Sequence, residues 1–402
     1  MVASRRRKLH TEKRTPMSAL DDHRSPWMNE ELDSLREHAR AFFEREALPN
    51  QERWLKEHAV DREFWNKAGD AGLLCLGIPE EYGGGGGTFA HEAVVMEEQA
   101  RIFDSSWGNT IHSGIVAPYF VHYGTEEQKQ KYLPKAATGE IVFAIAMTEP
   151  GTGSDLQNIK TTAVRDGDDY VINGSKTFIT NGTHADVILV VARTGGNEVK
   201  GAKGISLMIV EAEREGFSRG RVLDKLGLRG QDTRELFFED VRVPKENLLG
   251  EVEGQGFVQL MQQLGQERLG IAVGSIGAIE AALRETIQYT KDRTAFGQRL
   301  LDFQNTRFEL AECVSEALAV RTLVDLCIQE LVAGRLDPAR ASMAKLLATD
   351  KQGQIIDRCL QLFGGYGFML EYPIARAYAD ARVQRIYGGT NEIMKELIAR
   401  SL

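Results

Sequence analysis

Apolar residues recur at intervals of three and four over the first third of the chain, at intervals of two through the middle, and at three and four again to the end. Residues 30–45 set Leu32, Leu35, Ala39, Phe42 and Phe43 among charged neighbours, the spacing of one apolar helix face. A run of five glycines, 83–87, has no strand before it and no GxGxxG context, so it is expected to be a flexible loop ahead of a helix over 93–100 and not a phosphate-binding loop. Between about 141 and 250, short alternating runs at 162–165, 169–172 and 175–180 are separated by Asp166-Gly167 and Asn173-Gly174, both two-residue hairpin signals. Residues 187–192, 205–210 and 235–243 read as further strands, a pattern that suggests a compact barrel or sandwich. After Gly256 the helical period returns. Leu310, Val314, Ala317, Val320, Val324, Cys327 and Leu331 form the stripe of a bundle helix, Gly334 stops it, and Asp337-Pro338 supplies the cap and first position of the next. The expected class is α+β: a basic extension over 1–27 expected to be disordered, an N-terminal helical domain over 28–140, a middle β-barrel-like domain over 141–250, and a C-terminal four-helix bundle over 251–402. No internal repeat is visible.

Composition narrows the function. The net charge of −9 argues against a nucleic-acid partner, which needs a concentrated basic surface. It leaves room for a nucleotide cofactor, whose phosphates need only a few cations and backbone amides. Cys75, Cys313, Cys327 and Cys359 lie far apart without a CxxC pair and read as reduced core thiols of a cytoplasmic protein. The histidines are scattered, with no HExxH, and no metal site is expected. Residues 1–16 are basic (Arg5, Arg6, Arg7, Lys8, Lys13, Arg14) but lack the apolar run of a secretory signal. They are either a disordered extension ahead of Met17 or an Arg-rich organelle-targeting segment. No stretch approaches the roughly 20 apolar residues of a transmembrane segment.

Four motifs then stand in order. Ala146-Met147-Thr148-Glu149-Pro150-Gly151-Thr152-Gly153-Ser154-Asp155 opens the β region. Arg293-Thr294-Ala295-Phe296-Gly297, Gln361-Leu362-Phe363-Gly364-Gly365-Tyr366-Gly367 and Arg385-Ile386-Tyr387-Gly388-Gly389-Thr390-Asn391-Glu392-Ile393 follow. On this helix–β–helix frame the chain resembles the acyl-CoA dehydrogenase family from about residue 28 to its end. Within the family it is most similar to the long-chain branch, through Ile111-His112-Ser113-Gly114-Ile115-Val116 and residues 386–400. The resemblance implies the acyl-CoA dehydrogenase fold and an FAD enzyme that oxidises a fatty acyl-CoA thioester to its trans-2-enoyl-CoA. It also implies a homotetramer that passes electrons to an electron-transfer flavoprotein.

That reaction takes a proton from the α carbon and a hydride from the β carbon. It needs a hydride acceptor, a base, donors for the enolate-like charge on the thioester oxygen, and a dry slot for the chain. By the resemblance, Ile145, Met147, Thr148, Gly153 and Ser154 meet the flavin edge, with Thr148 as the hydroxyl partner. Read alone, Pro150, Gly151 and Gly153 make only a tight turn. Phe178, Ile179 and Thr180 match the family's aromatic-Ile-Thr segment against the flavin, with Phe where many relatives have Trp. Without the family, Phe178 is an ordinary inward strand residue. Arg293, Phe296 and Gln304 match contacts to the cofactor's phosphates and adenine, partly from a neighbouring subunit. Gln361, Gly364 and Gly365 match the complementary contribution, where a missing Cβ permits close approach to a pyrophosphate. Thr390 and Asn391 complete the flavin side.

Many relatives carry the catalytic Glu in an Ile-Tyr-Glu-Gly-Thr loop, but here that loop reads Ile386-Tyr387-Gly388-Gly389-Thr390. The long-chain and isovaleryl branches carry their base in a Glu-Arg-Leu sequence of a C-terminal helix, which Gln266-Glu267-Arg268-Leu269 matches. Glu267 is therefore the expected base, against the bland reading of a surface charge paired along its helix. Gly388 keeps a backbone N–H and is expected, with the flavin ribityl hydroxyl, to polarise the thioester carbonyl. Ser154, Arg268 and Gly389 are expected near the thioester end of the substrate. By the resemblance, Gly108 and Asn109 match a region that lines the pocket floor in relatives, where a small residue would admit a long chain. The family leaves open a branched-chain, isovaleryl-type dehydrogenase and a related flavin oxidase. A non-catalytic protein using the same scaffold is the reading from outside enzymes.

Overall fold

A computed structural model describes residues 22–195, 199 and 201–402. The basic stretch 1–16 lies outside the described residues. Residues 22–27, within the expected extension, are docked: His23 Nε2 and Trp27 Nε1 each hydrogen-bond the buried Asp325 at 2.8 Å.

Among the described residues six α-helices precede the sheet: α1 (Glu30–Phe42), α2 (Gln51–Glu57), α3 (Arg62–Asp70), α4 (Phe89–Arg101), α5 (Ala117–Tyr123) and α6 (Glu126–Ala137). Their starts are written in side chains. Asn29 accepts the Leu32 N–H at 2.8 Å ahead of three acidic residues in the first turn of α1. Thr125 and Gln128 form a reciprocal capping box at α6. The glycine run is not a flexible loop. Gly84, Gly85, Gly86 and Gly87 each donate to a carbonyl in the 75–79 segment. A Cβ at Gly84 would fall 2.3 Å from the Ile78 carbonyl oxygen, so glycine is needed for this close wrap.

Among the described residues the sheet has seven strands: β1 (Phe143–Ala146), β2 (Thr162–Asp166), β3 (Asp169–Thr180), β4 (Val187–Arg193), β5 (Ile205–Glu211), β6 (Phe217–Val222) and β7 (Thr233–Pro244). They run in the order β1-β4-β2-β3-β7-β6, with β5 paired antiparallel to β4. β4 is a continuous apolar run because it is covered on both sides. Val187, Leu189 and Val191 pack with Phe120 and Leu133 of the first helices, while Ile188, Val190 and Ala192 enter the sheet's own core with Ile172 and Phe238. Asp166-Gly167 does turn a hairpin, with Asp166 opposite Asp169 and Gly167 at φ +66°. Asn173-Gly174 does not. The chain runs straight through it as one strand, with a register shift between Ile172 and Gly174. A Cβ at Gly174 would fall 2.4 Å from Thr161 Oγ1, so this glycine serves a close approach and not a turn.

Beyond the sheet stand α7 (Gly256–Asp292), a two-residue β8–β9 hairpin (Thr294–Ala295, Gln298–Arg299), α8 (Gln304–Val332), α9 (Pro338–Phe363), α10 (Pro373–Ala381) and α11 (Asn391–Ala399). Asp337 caps α9 and Pro338 opens it, while Gly334 ends α8 at φ +66°. One core joins α4 to α7, α8 and α9 through Ala93, Met96, Leu269, Ile276, Val324 and Ile355. The long helix α7 thus runs beside the first helices, the sheet's edge and the bundle at once.

Candidate active site

Glu267 points inward from α7 and is 6% exposed. Its Oε1 accepts the hydroxyl of the fully buried Tyr119 at 2.7 Å. Burial raises its pKa to about 7, while the Tyr119 bond and the charge of Arg268 hold it down. A carboxyl so placed is half ionised near neutrality, which is where a general base works best. The residues sharing its helix face, Gly270, Ile271 and Gly274, are small or aliphatic.

The 386–391 loop meets α7 one turn beyond the carboxyl. A Cβ at Gly388 would fall 2.3 Å from Ile271 Cδ1, and one at Gly389 would fall 3.8 Å from Arg268 Nη2. Both glycines have positive φ, +62° and +91°. Thr390 caps α11 by accepting the Ile393 N–H. Asn391 is buried, and its side chain is committed to Lys345, Thr349 and Asp350.

The turn after β1 packs into a cluster that also holds the start of α7. Ile145 and Met147 pack in one cluster with Ile111, Phe257 and Leu260, and Leu260 lies two turns before Glu267 on α7. This turn is pinned from beneath. The fully buried Lys176 donates to the Met147 carbonyl and to Glu149 Oε1, both at 3.0 Å, and Glu149 accepts the N–H groups of Lys160 and Thr161. The Thr148 carbonyl accepts the Thr177 N–H at 2.9 Å. Gly151, Gly153 and Ser154 are exposed, and no atom lies within 4 Å of a Cβ built on either glycine. In β3 a register shift between Lys176 and Ile179 breaks the alternation. Phe178 takes φ +61° and stands 67% exposed, while Ile179 is buried and Thr180 half-buried. Phe178 is thus an outward aromatic, not the inward strand residue that alternation alone suggests.

Arg293, Gln361, Gly364 and Gly365 line one open cleft of about 520 Å³ at the far end of the bundle. The Arg293 guanidinium lies 5.8 Å from the Tyr366 ring centroid. Phe296, in the β8–β9 turn, is 96% exposed with φ +52°, and Gln304 opens α8 in solvent. From Glu267 to the end of α7 at Asp292 is 25 residues, about 38 Å at 1.5 Å each. The structure therefore groups Arg293 with Gln361, Gly364 and Gly365 in one cleft and sets the Gly388-Gly389 loop against Arg268 and Ile271, well apart along α7.

Gly108 and Asn109 offer no open floor. A Cβ at Gly108 would fall 2.0 Å from Asn181 Oδ1, so its smallness serves packing against Asn181. Asn109 is buried and accepts the Ser113 hydroxyl at 2.7 Å. Small residues stand instead at Gly270, one turn along α7 from Glu267, and at Gly114, both nearest to the Met96 and Thr110 side chains. Helical spacing from Glu267 could have indicated Gly270. Nothing in the sequence marked Tyr119, Lys345 or the Lys176–Glu149 pair.

Comparison with known proteins covers nearly the whole chain. The descriptions "Acyl-CoA dehydrogenase, N-terminal domain", "middle domain" and "C-terminal domain" match residues 29–140, 144–241 and 254–402. The long-chain specific acyl-CoA dehydrogenase, mitochondrial, of Sus scrofa is 50% identical over 372 residues, 92% of this chain and 86% of that protein. A crystal structure of acyl-CoA dehydrogenase from Geobacillus kaustophilus is 49% identical with a TM-score of 0.92, covering 94% of this chain and 99% of that one. An acyl-CoA dehydrogenase from Bacillus anthracis, solved with FAD, is 33% identical with a TM-score of 0.88, covering 95% of this chain and 68% of that one.

Proposed function

The chain belongs to the acyl-CoA dehydrogenase family, and from that premise we propose that it oxidises long-chain acyl-CoA to trans-2-enoyl-CoA with Glu267 as the base. The observation that carries this reading is the buried carboxyl with its pKa near 7, on the stretch of α7 that the Gly388-Gly389 loop meets at Arg268 and Ile271.

The family's cofactor is FAD, and this chain's residues fit it. Phe178 and Phe296 present uncovered aromatic faces, Gly151, Gly153, Gly364 and Gly365 leave room for close approach, and Arg293 supplies a cation in the same cleft as the last two. FAD, when bound, accepts the β hydride. Ile145, Met147, Thr148, Gly153, Ser154, Phe178, Ile179 and Thr180 would hold its ring end, with Thr390 and Asn391 opposite. Arg293, Phe296, Gln304, Gln361, Gly364 and Gly365 would hold its phosphate and adenine end. The separation of about 38 Å between Glu267 and the end of α7 supports cofactor sites shared between subunits, hence a homotetramer or other oligomer. Electron-transfer flavoprotein is the proposed acceptor, and the four buried free thiols support a reducing, cytoplasmic setting.

In the reaction the Glu267 carboxylate takes the α proton. The Gly388 N–H stabilises charge arriving on the thioester oxygen, and Arg268 and Gly389 flank that end. The apolar wall of Gly270, Ile271 and Gly274 excludes water along the chain.

For the acyl group we propose a path from Glu267 along Gly270 and Gly274, opposite Gly114, with the flexible Met96 side chain as its movable plug. Anaerobic titration of the FAD-loaded enzyme with acyl-CoAs of graded length, followed by flavin bleaching, tests this. Native enzyme is expected to respond best to long chains. Gly270→Leu is expected to keep FAD and move the optimum to shorter chains. A native optimum at short or branched chains would refute the long-chain assignment, and an unmoved optimum in the variant would refute the path.

The pH profile carries its own sign. Only ionised Glu267 can take the proton, so kcat/KM is expected to fall as pH drops through about 7. The Tyr119 hydroxyl favours the ionised form. Tyr119→Phe should therefore move the acidic limb to higher pH, with a larger loss at pH 6 than at pH 9. A limb that stays put in the variant would separate Tyr119 from the titrating group.

A further inference from the structure

Gly388 and Gly389, both at positive φ, bring no side chain to the turn they form before α11. It is held from outside. Lys345, fully buried on α9, donates to the Gly389 carbonyl at 2.8 Å and to Asn391 Oδ1 at 2.9 Å. Asn391 extends the constraint by donating to Asp350 Oδ1 at 2.9 Å and to Thr349 Oγ1 at 3.0 Å. Burying an ammonium is costly unless it is well bonded, and a methionine of similar length would fill the space without that cost. Both bonds that offset the cost go to this one loop. Burial and the nearby Arg268 guanidinium lower the Lys345 pKa to about 8, which leaves it charged at neutral pH.

We propose that Lys345 is a positioning residue for the oxidation: its ammonium fixes the Gly388-Gly389 turn and so aims the Gly388 N–H at the thioester oxygen. This rests on the reading that Gly388 polarises that carbonyl. The Gly389 carbonyl and the Gly388 N–H belong to peptide units separated by a single intervening peptide. With both residues free of Cβ, releasing the carbonyl lets the φ and ψ angles between them drift. A lysine with a merely structural role would, when removed, lower stability and leave the polarisation of a bound thioester unchanged.

The test uses FAD-loaded native enzyme, Lys345→Met and Lys345→Gln, each saturated with a 3-thia acyl-CoA labelled with carbon-13 at the carbonyl. Sulfur at the β position leaves no hydride to transfer, so the complex persists. With Glu267→Gln added in every arm of the infrared measurement so that the α proton stays in place, the carbonyl stretch of the bound ligand reads the hydrogen bond directly. With Lys345 in place it is expected below its value in water. In Lys345→Met it should return at least half of the way, with Lys345→Gln between. With a normal acyl-CoA, loosening this donor is expected to lower kcat about tenfold, less than the hundredfold or more for losing an oxyanion donor outright, with KM little changed. Variants that bind FAD and keep the native stretch would overturn the proposal. If neither variant folds with FAD, Lys345 is a folding determinant and the proposal falls. If the arm with Lys345 in place gives no shift, the Gly388 reading fails first.

Discussion

Glu267→Gln is expected to lose dehydrogenation by about a thousandfold, within the range a positioned general base supplies, while still binding FAD and acyl-CoA. The amide matches the carboxyl in shape, and its oxygen can still accept the Tyr119 hydroxyl that now meets Oε1 at 2.7 Å. A neutral amide also removes the cost of burying a charge, so the thermal unfolding midpoint should not drop. Added acyl-CoA should shift the flavin spectrum on binding but fail to bleach it. Full bleaching at the native rate would end the assignment. Moving the base to the other loop is a harder test than the sequence suggests. A Glu267→Gly/Gly388→Glu double variant must hold a side chain at φ +62° with its Cβ 2.3 Å from Ile271 Cδ1. Partial recovery is expected, and a further Ile271→Ala change should improve it by clearing the Cβ.

The order helix, sheet, helix was legible because burial imposes its period directly. The 310–331 stripe and the capped start at Asp337 both stand where spacing set them. What misled was local chemistry that tertiary contact overrode. Asn173-Gly174 carries the signal of a hairpin, yet Gly174 is glycine because Thr161 crosses against it. The 83–87 run looks flexible until each of its last four N–H groups finds a carbonyl of the 75–79 segment. Gly108 reads in sequence as room for a ligand, and in the fold Asn181 Oδ1 lies where its Cβ would stand. The carboxyl at 267 could be picked out by likeness to a family motif, but the hydroxyl that tempers its raised pKa could not, since Tyr119 comes from a helix 148 residues away in sequence. Lys345 and Lys176 were invisible for a related reason. A lysine reads as a surface residue until the fold closes over it.

Lys176→Met is expected to destabilise the protein by about 3–5 kcal/mol, the cost of leaving one partner of a buried ion pair uncompensated. Lys176 is fully buried, Glu149 is 6% exposed, and they meet at 3.0 Å. Lys176 keeps its charge at neutral pH although burial lowers its pKa to about 8, and its attraction helps hold Glu149 below the usual carboxylate range. Removing the ammonium leaves the carboxylate with two backbone N–H donors, from Lys160 and Thr161, and frees the Met147 carbonyl that Lys176 also holds. The damage should concentrate where the pair sits, between the turn carrying Thr148 and the strand carrying Phe178. FAD release should therefore precede global unfolding on heating, read as a rise in free-flavin fluorescence ahead of the loss of helical circular dichroism. Lys176→Met/Glu149→Gln should regain part of the loss, because no uncompensated charge remains. An additive double variant, or Lys176→Met with native FAD retention and an unchanged midpoint, would mean that this pair neither stabilises the sheet nor holds the cofactor turn.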